Sequence, residues 1–162
     1  MYYVLNFIMP LELPTSQELL RQEPELRFGQ ANFDGIDFGK FVLDRLNGTL
    51  ETLSFMVRQN SGTIFHISFA GTYPINDQWL IRKCRVVELF GHSSMYVMQD
   101  HIEQNRPYAI HAINQLEYAF VGGAFPLADM SGRVFGVLAF SGTDQLSEHN
   151  LAIEMIGAYL KK

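Results

Sequence analysis

The chain has 162 residues, 48% of them hydrophobic and 18% charged, with a formal net charge of −5. Those values describe one globular domain with a substantial core and exclude a disordered chain. The acidic balance argues against nucleic acid as a partner, and the lone Cys84 leaves no intrachain disulfide and fits a reducing, cytoplasmic compartment.

Residues 1–14 read MYYVLNFIMPLELP. The stretch lacks a basic start and a small-residue cleavage site, so it is not read as a secretory signal. Pro10 and Pro14 interrupt it, and it is too short to span a bilayer. It reads either as an ordered N-terminal arm or strand packing on another subunit, or as a start-site artefact or frayed tail, ahead of a single domain over residues 15–162. Ser16 to Arg21 predicts a short helix ending near Pro24. Asp34 then resembles an N-cap, with Asp37 placed to suit the helix dipole, and the helix is expected to run to about Asn47 with Gly48 behind it.

A hairpin follows: Thr52 to Arg58 is rich in strand formers, Gln59–Gly62 is turn chemistry, and Thr63 to Phe69 alternates in polarity. A long helix starts between Thr72 and Asp77, tolerating Pro74 in its first turn, and frays between Gln104 and Pro107. Its predicted apolar stripe is Ile75, Trp79, Val86, Phe90 and Val97, with Gly91, Ser93 and Ser94 marking a kink or a close approach. Glu117–Leu127 and Arg133–Ser141 read as a second strand pair around the turn Asp129–Gly132. Gly122 and Gly123 interrupt the first of these strands, which marks a bulge or contact with a ligand or backbone. A final helix carries Leu151, Met155, Ile156 and Tyr159. The order of helix, hairpin, long helix, hairpin and helix predicts an α+β fold with a central antiparallel sheet flanked by helices.

Arg82, Lys83 and Arg85 spread around the helix and cannot all face one anion. Arg82 shares the apolar stripe, so its guanidinium must meet a carboxylate, a carbonyl or an anionic ligand, or snorkel to solvent. Lys83, four residues after Trp79, is placed for a cation–π contact. Trp79 is read either as core or as a plate for a flat ligand. The five histidines show no metal-clasp spacing, and no metal site is expected; a single imidazole would still suffice for haem iron. Cys84 sits among cations but reads as packing. No nucleophile elbow, Walker loop or dinucleotide fingerprint occurs, so no catalytic residue is assigned.

Two blocks resemble a known family. Gly71-Thr72, Asn76-Asp77, Trp79, Arg82-Lys83, Val86-Val87, Phe90 and Ser93-Ser94 form one. Gly122-Gly123-Ala124-Phe125-Pro126, Gly136-Val137 and Ser141-Gly142 form the other. Together they resemble the GlcG/HbpS-like, or haem-degrading-domain, family in its uncharacterised cytoplasmic branch. The resemblance is strong from about Leu50 to Leu160 and absent over the first dozen residues. It implies a profilin-like fold, homo-oligomers and, for some relatives, haem. Glu148-His149 falls where the family tends to have an acidic residue followed by His, while Val121 stands where some relatives have His. The resulting ligand-site candidates are Asp77, Trp79, Arg82, Lys83, Gly122, Gly123 and His149. Three functions remain open: a binding protein for haem or another flat anionic ligand, a non-catalytic homo-oligomeric scaffold, and an enzyme acting on a small metabolite.

Overall fold

A computed structural model describes residues 12–29, 33–46 and 51–162. Most of the N-terminal arm and the predicted Asn47–Gly48 helix end lie outside these residues. The element order is α1 (Ser16–Gln22), β1 (Arg27–Phe28), α2 (Gly35–Leu46), β2 (Ser54–Gln59), β3 (Gly62–Ser68), α3 (Pro74–Phe90), α4 (Ser94–Glu103), β4 (Ala124–Asp129), β5 (Val134–Ser141) and α5 (Gln145–Tyr159). Short 3-10 turns follow α1 and occupy Tyr108–His111 and Gln115–Glu117.

The five strands form one sheet in the order β1-β4-β5-β2-β3. Both hairpins are antiparallel, as is the central β2–β5 pair, while β1 runs parallel to β4. The fold is therefore α+β, with a mixed sheet only because of the two-residue β1. Period-two alternation divides the core between the two faces of the sheet. Phe55, Val57, Phe125, Leu127, Leu138 and Phe140 meet Phe38 and Val42 of α2 and Ala152 and Ile156 of α5 in the main core. Met56, Ala124, Val137 and Ala139 point to the opposite face and meet Leu80, Cys84 and Val87 of α3.

Several boundaries differ from expectation. The long helix ends at Gly91, which adopts a left-handed conformation with φ of 74° and whose N–H donates to the Val87 carbonyl. The chain then restarts as α4, with Ser93 as N-cap. The helical periodicity of Val86, Phe90 and Val97 hides this break because it continues in phase across it. The fourth strand begins at Ala124, not Glu117; the preceding stretch is a 3-10 turn and irregular chain. On α3 the buried side chains are Leu80, Lys83, Cys84, Val86 and Val87, whereas Ile75 is exposed. The predicted stripe was thus displaced around the helix, because it followed Trp79 rather than the Leu80–Cys84–Val87 row that packs on the sheet.

Candidate functional site

The start of α3 is set by Pro74 and by Asn76, whose Oδ1 accepts the Tyr73 N–H at 2.9 Å. Two turns later Lys83 projects from the buried face. Its Nζ donates to the Phe140 carbonyl at 2.9 Å and to the carboxylate of Glu148 on α5. The Lys83 and Glu148 side chains are only 4% and 3% exposed. Burial pulls the Lys83 pKa down, and the adjacent Glu148 charge pushes it back up. The second Glu148 oxygen accepts the N–H groups of Gly142 and Thr143 at 2.7 and 3.0 Å. One carboxylate thereby ties α3, the end of β5 and the first turn of α5 together.

The glycine pair lies against this ion pair. A Cβ on Gly123 would stand 2.7 Å from Glu148 Oε2 and 2.8 Å from Lys83 Nζ, and its φ is +115°. A Cβ on Gly122 would stand 2.3 Å from the Gln145 carbonyl oxygen. The close approach expected from the sequence is therefore made to the chain itself. Over the pair opens a cleft of about 590 Å³, lined by Asn76, Trp79, Lys83, Val121, Ser141–Gln145 and Glu148. That volume is in the range of small-molecule sites. Asn76 Nδ2 donates to Ser141 Oγ at 3.3 Å across its floor, and Gln145 Oε1 accepts the Gly122 N–H at 3.2 Å. A larger hollow, about 850 Å³, lies near the other end of α5 beside Glu25 and Arg45 and includes none of the predicted site residues.

The two distant blocks thus meet, but not every candidate joins them. Trp79 and Lys83 line the cleft, and Gly122–Gly123 back its ion pair. Arg82, not Lys83, makes the cation–π contact: its guanidinium carbon is 4.7 Å from the Trp79 ring centroid. Lys83 points inward instead, because its place in the helix faces the sheet. Arg82 Nη2 donates to the Tyr118 carbonyl at 3.3 Å, which resolves its alternatives as a carbonyl contact beside an aromatic plate, and its buried Nε has no acceptor among the described residues. Asp77 turns away from the cleft to β3, where it accepts from Ser68 Oγ at 2.6 Å and lies 3.0 Å from His66 Nε2.

His149 also faces elsewhere. It is fully buried against Phe125, and its Nε2 donates to Gln22 Oε1 at 2.9 Å. Burial pushes its pKa down to about 4, so it is a neutral core imidazole at pH 7. Asp77, Arg82, Glu148 and His149 therefore face different partners and do not converge on one point. Cys84 is fully buried, and burial raises its thiol to about 12, far from a reactive thiolate. Sequence reasoning missed Asn76, Ser141 and Gln145 as cleft residues. The turn Gly142-Thr143-Asp144 was the available signal, since it marks where α5 begins and where its neighbours must converge.

The remaining imidazoles sit outside the cleft. His92 occupies the break between α3 and α4, where its Nδ1 is 2.8 Å from buried Glu23, which also accepts the Ser93 N–H. His101 and His111 touch through their Nε2 atoms. Among the described residues no group of three or more His, Cys, Asp and Glu side chains is disposed to hold a metal ion, and no helix is long and apolar enough to cross a membrane.

Comparison with known proteins shows the family and the fold. A family model described as "Haem degrading protein HbpS-like" matches residues 39–157. A UPF0303 protein of Psychromonas ingrahamii is 34% identical over 152 residues, covering 90% of this chain and 92% of its own. The crystal structure of the Ybr137w protein superposes with a TM-score of 0.77 at 23% identity, covering 93% of this chain and 89% of that one. The crystal structure of a PduOC–haem complex superposes with a TM-score of 0.65 at 13% identity, covering 81% of this chain and 95% of that one. At these identities the two structures establish a shared fold. The chain belongs to the HbpS-like family, as the blocks around Trp79–Lys83 and Gly122–Pro126 implied.

Proposed function

We propose that this protein binds a small, flat, polar ligand in the cleft between α3 and the β5–α5 corner. The observation that carries the reading is the meeting of a half-exposed indole, Trp79, with the Lys83–Glu148 pair and the polar floor of Ser141 and Gln145. Trp79 supplies a stacking wall. Arg82 packs on that ring and donates to the Tyr118 carbonyl, which places its guanidinium beside the cleft's aromatic wall. Haem is a candidate cofactor, supported by the family description and by the PduOC–haem complex.

The cleft's own donor set limits how haem fits there. No imidazole lines it, and the Lys83 amine is already engaged by Glu148 and Phe140. A tetrapyrrole in this cleft would be held by Trp79 and Arg82 without a histidine on its iron. No chemical step is derived through it.

Trp79 is the only tryptophan, so fluorescence under tryptophan-selective excitation reports on the cleft. Titration with haemin and with iron-free protoporphyrin should give saturable quenching, with one ligand per chain and no histidine-ligation signature in the Soret band. Thr143→Trp, which fills the mouth, should weaken binding, followed by ligand absorbance, by at least about tenfold. Unchanged affinity in that variant, or linear non-saturating quenching, would refute the site.

The lone Cys84 supports a cytoplasmic setting, and a homo-oligomer belongs to the same proposal. Its support is the exposure of Tyr73 (73%) and Ile75 (56%) at the start of α3, beside the cleft. The scaffold reading makes the stretch from Trp79 to Ser94 the subunit contact, extended by the N-terminal arm, and needs no ligand. Light scattering on wild type and Trp79→Ala separates the two. Loss of assembly with no ligand bound by the parent favours the scaffold, while an intact assembly that loses ligand favours the cleft.

A further inference from the structure

Away from the cleft, α4 and the 3-10 turn Tyr108–His111 bring two imidazoles together. His101 Nε2 and His111 Nε2 are 2.8 Å apart. His101 is 4% exposed, and its Nδ1 donates to the Val97 carbonyl one turn back at 2.7 Å. That bond fixes the neutral tautomer, so the Nε2 of His101 carries a lone pair directed at its neighbour. Without a guest, His111 Nε2–H donates to it. Phe90 packs edge-on against both rings, and Phe120 and Tyr108 enclose His101.

We propose that His101 and His111 form a cis chelate for a late first-row divalent metal ion, with Cu²⁺ preferred. Metal–imidazole bonds of 2.0–2.1 Å place two cis nitrogens about 2.9 Å apart at a right angle, about 3.4 Å apart at the tetrahedral angle, and about 4.1 Å apart across the metal. The observed 2.8 Å is that of a hydrogen bond, and a shift of a few tenths of an ångström reaches the right-angled value, whereas the trans value needs more than an ångström; imidazole donors rank Cu²⁺ first among the late first-row ions. The same distance excludes the pair as opposite axial ligands of one haem iron. Binding needs His111 to move its proton to Nδ1 and its ring to swing aside, so that the metal takes the position in front of the His101 lone pair. His111, half-exposed at the end of a 3-10 turn, has the freedom to do so.

The donor set is neutral nitrogen. The neighbouring Asp100 is engaged by Arg106 at 3.0 Å, so Mg²⁺ and Ca²⁺, which require oxygen ligands, are disfavoured. A groove of about 590 Å³ runs past His101, Asn105, Arg106 and Tyr108 on the solvent side of the pair.

The test uses the whole chain, stripped with EDTA and titrated with CuCl₂ against glycine as a weak competitor. Frozen-solution electron paramagnetic resonance should show one ion per chain with coupling to two imidazole nitrogens. His111→Ala, at a half-exposed site and checked for fold by circular dichroism, should lower affinity at least about tenfold and remove one nitrogen coupling. His66→Ala and His92→Ala should leave both unchanged. A spectrum without imidazole coupling, or one that survives His111→Ala intact, overturns the site and leaves the pair as a hydrogen bond only.

Discussion

Acidifying the solution from pH 7 to pH 5 should cost about 2 kcal/mol of folding free energy through His149 alone. The reasoning starts from its burial between Phe125 and α1, which holds the folded-state pKa at about 4 against 6.5 for an unperturbed imidazole. The unfolded chain therefore binds more protons between those values. The sign follows: His149's contribution is fully present above pH 6.5 and is lost as the pH falls toward 4. The whole window amounts to about 3 kcal/mol, of which about 2 has gone by pH 5. His92 works in the opposite sense. Its hydrogen bond to Glu23 raises its pKa against the effect of burial, so its contribution is present below pH 6.5 and fades as the pH rises through the folded-state value.

The clean comparison is therefore wild type against His149→Gln, which keeps His92 and Glu23. Urea unfolding at pH 7, 6 and 5 measures it. With a slope of about 2 kcal/mol per molar urea, the wild-type midpoint should fall about 1 M further than that of the variant between pH 7 and 5. Parallel pH dependences in the two proteins, or an NMR titration placing His149 near 6.5, would refute the buried-neutral assignment.

Breaking the buried pair from one side should be worse than removing it. Lys83→Met leaves Glu148 uncompensated and should destabilise by about 3–5 kcal/mol, while Lys83→Met/Glu148→Gln, which keeps an acceptor for the Gly142 and Thr143 N–H groups, should recover part of that loss in urea unfolding. Cys84 should resist Ellman's reagent at pH 7.5 and react stoichiometrically in 6 M guanidinium; rapid labelling of native protein would contradict its burial and raised pKa. Gly123→Ala should lower stability by at least about 2 kcal/mol in thermal unfolding, because the new methyl combines a strained φ with collision against Glu148 and Lys83; a shift within error would place those groups elsewhere.

Local chemistry made much of this architecture legible. Asn60-Ser61-Gly62 and Asp129–Gly132 announce the two hairpins, and the strands they join pair antiparallel, each with one register shift, at Val57/Arg58 and at Leu127/Ala128. The Gly122–Gly123 signal was local too, since a φ of +115° at Gly123 requires glycine whatever packs on it. What stayed hidden was pairing at a distance. Lys83 finds Glu148 65 positions away, and His149 finds Gln22 127 positions away. Glu23 accepts the Ser93 N–H where the sequence marked only a kink or a close approach. The misassigned cation shows the same limit. Trp79 and Arg82 advertise themselves by residue type, but the helical phase is decided by which row meets Met56, Ala124 and Val137, and that row includes Lys83.

That phase also determines what the cleft can accept. The backbone N–H groups of Gly142 and Thr143, at the mouth of α5, form the kind of nest that binds an external anion. Here Glu148 fills it, and the same carboxylate neutralises Lys83. The strongest anion-binding apparatus in the cleft is therefore satisfied internally, and an incoming carboxylate must compete with a tethered one. A ligand that wins does so through stacking on Trp79 and contact with Arg82 at the rim. If Glu148→Gln increases affinity for an anionic ligand while Lys83→Met abolishes it, the internal carboxylate is a competitor for the site; if both weaken binding alike, it is the structural tie that holds the site open.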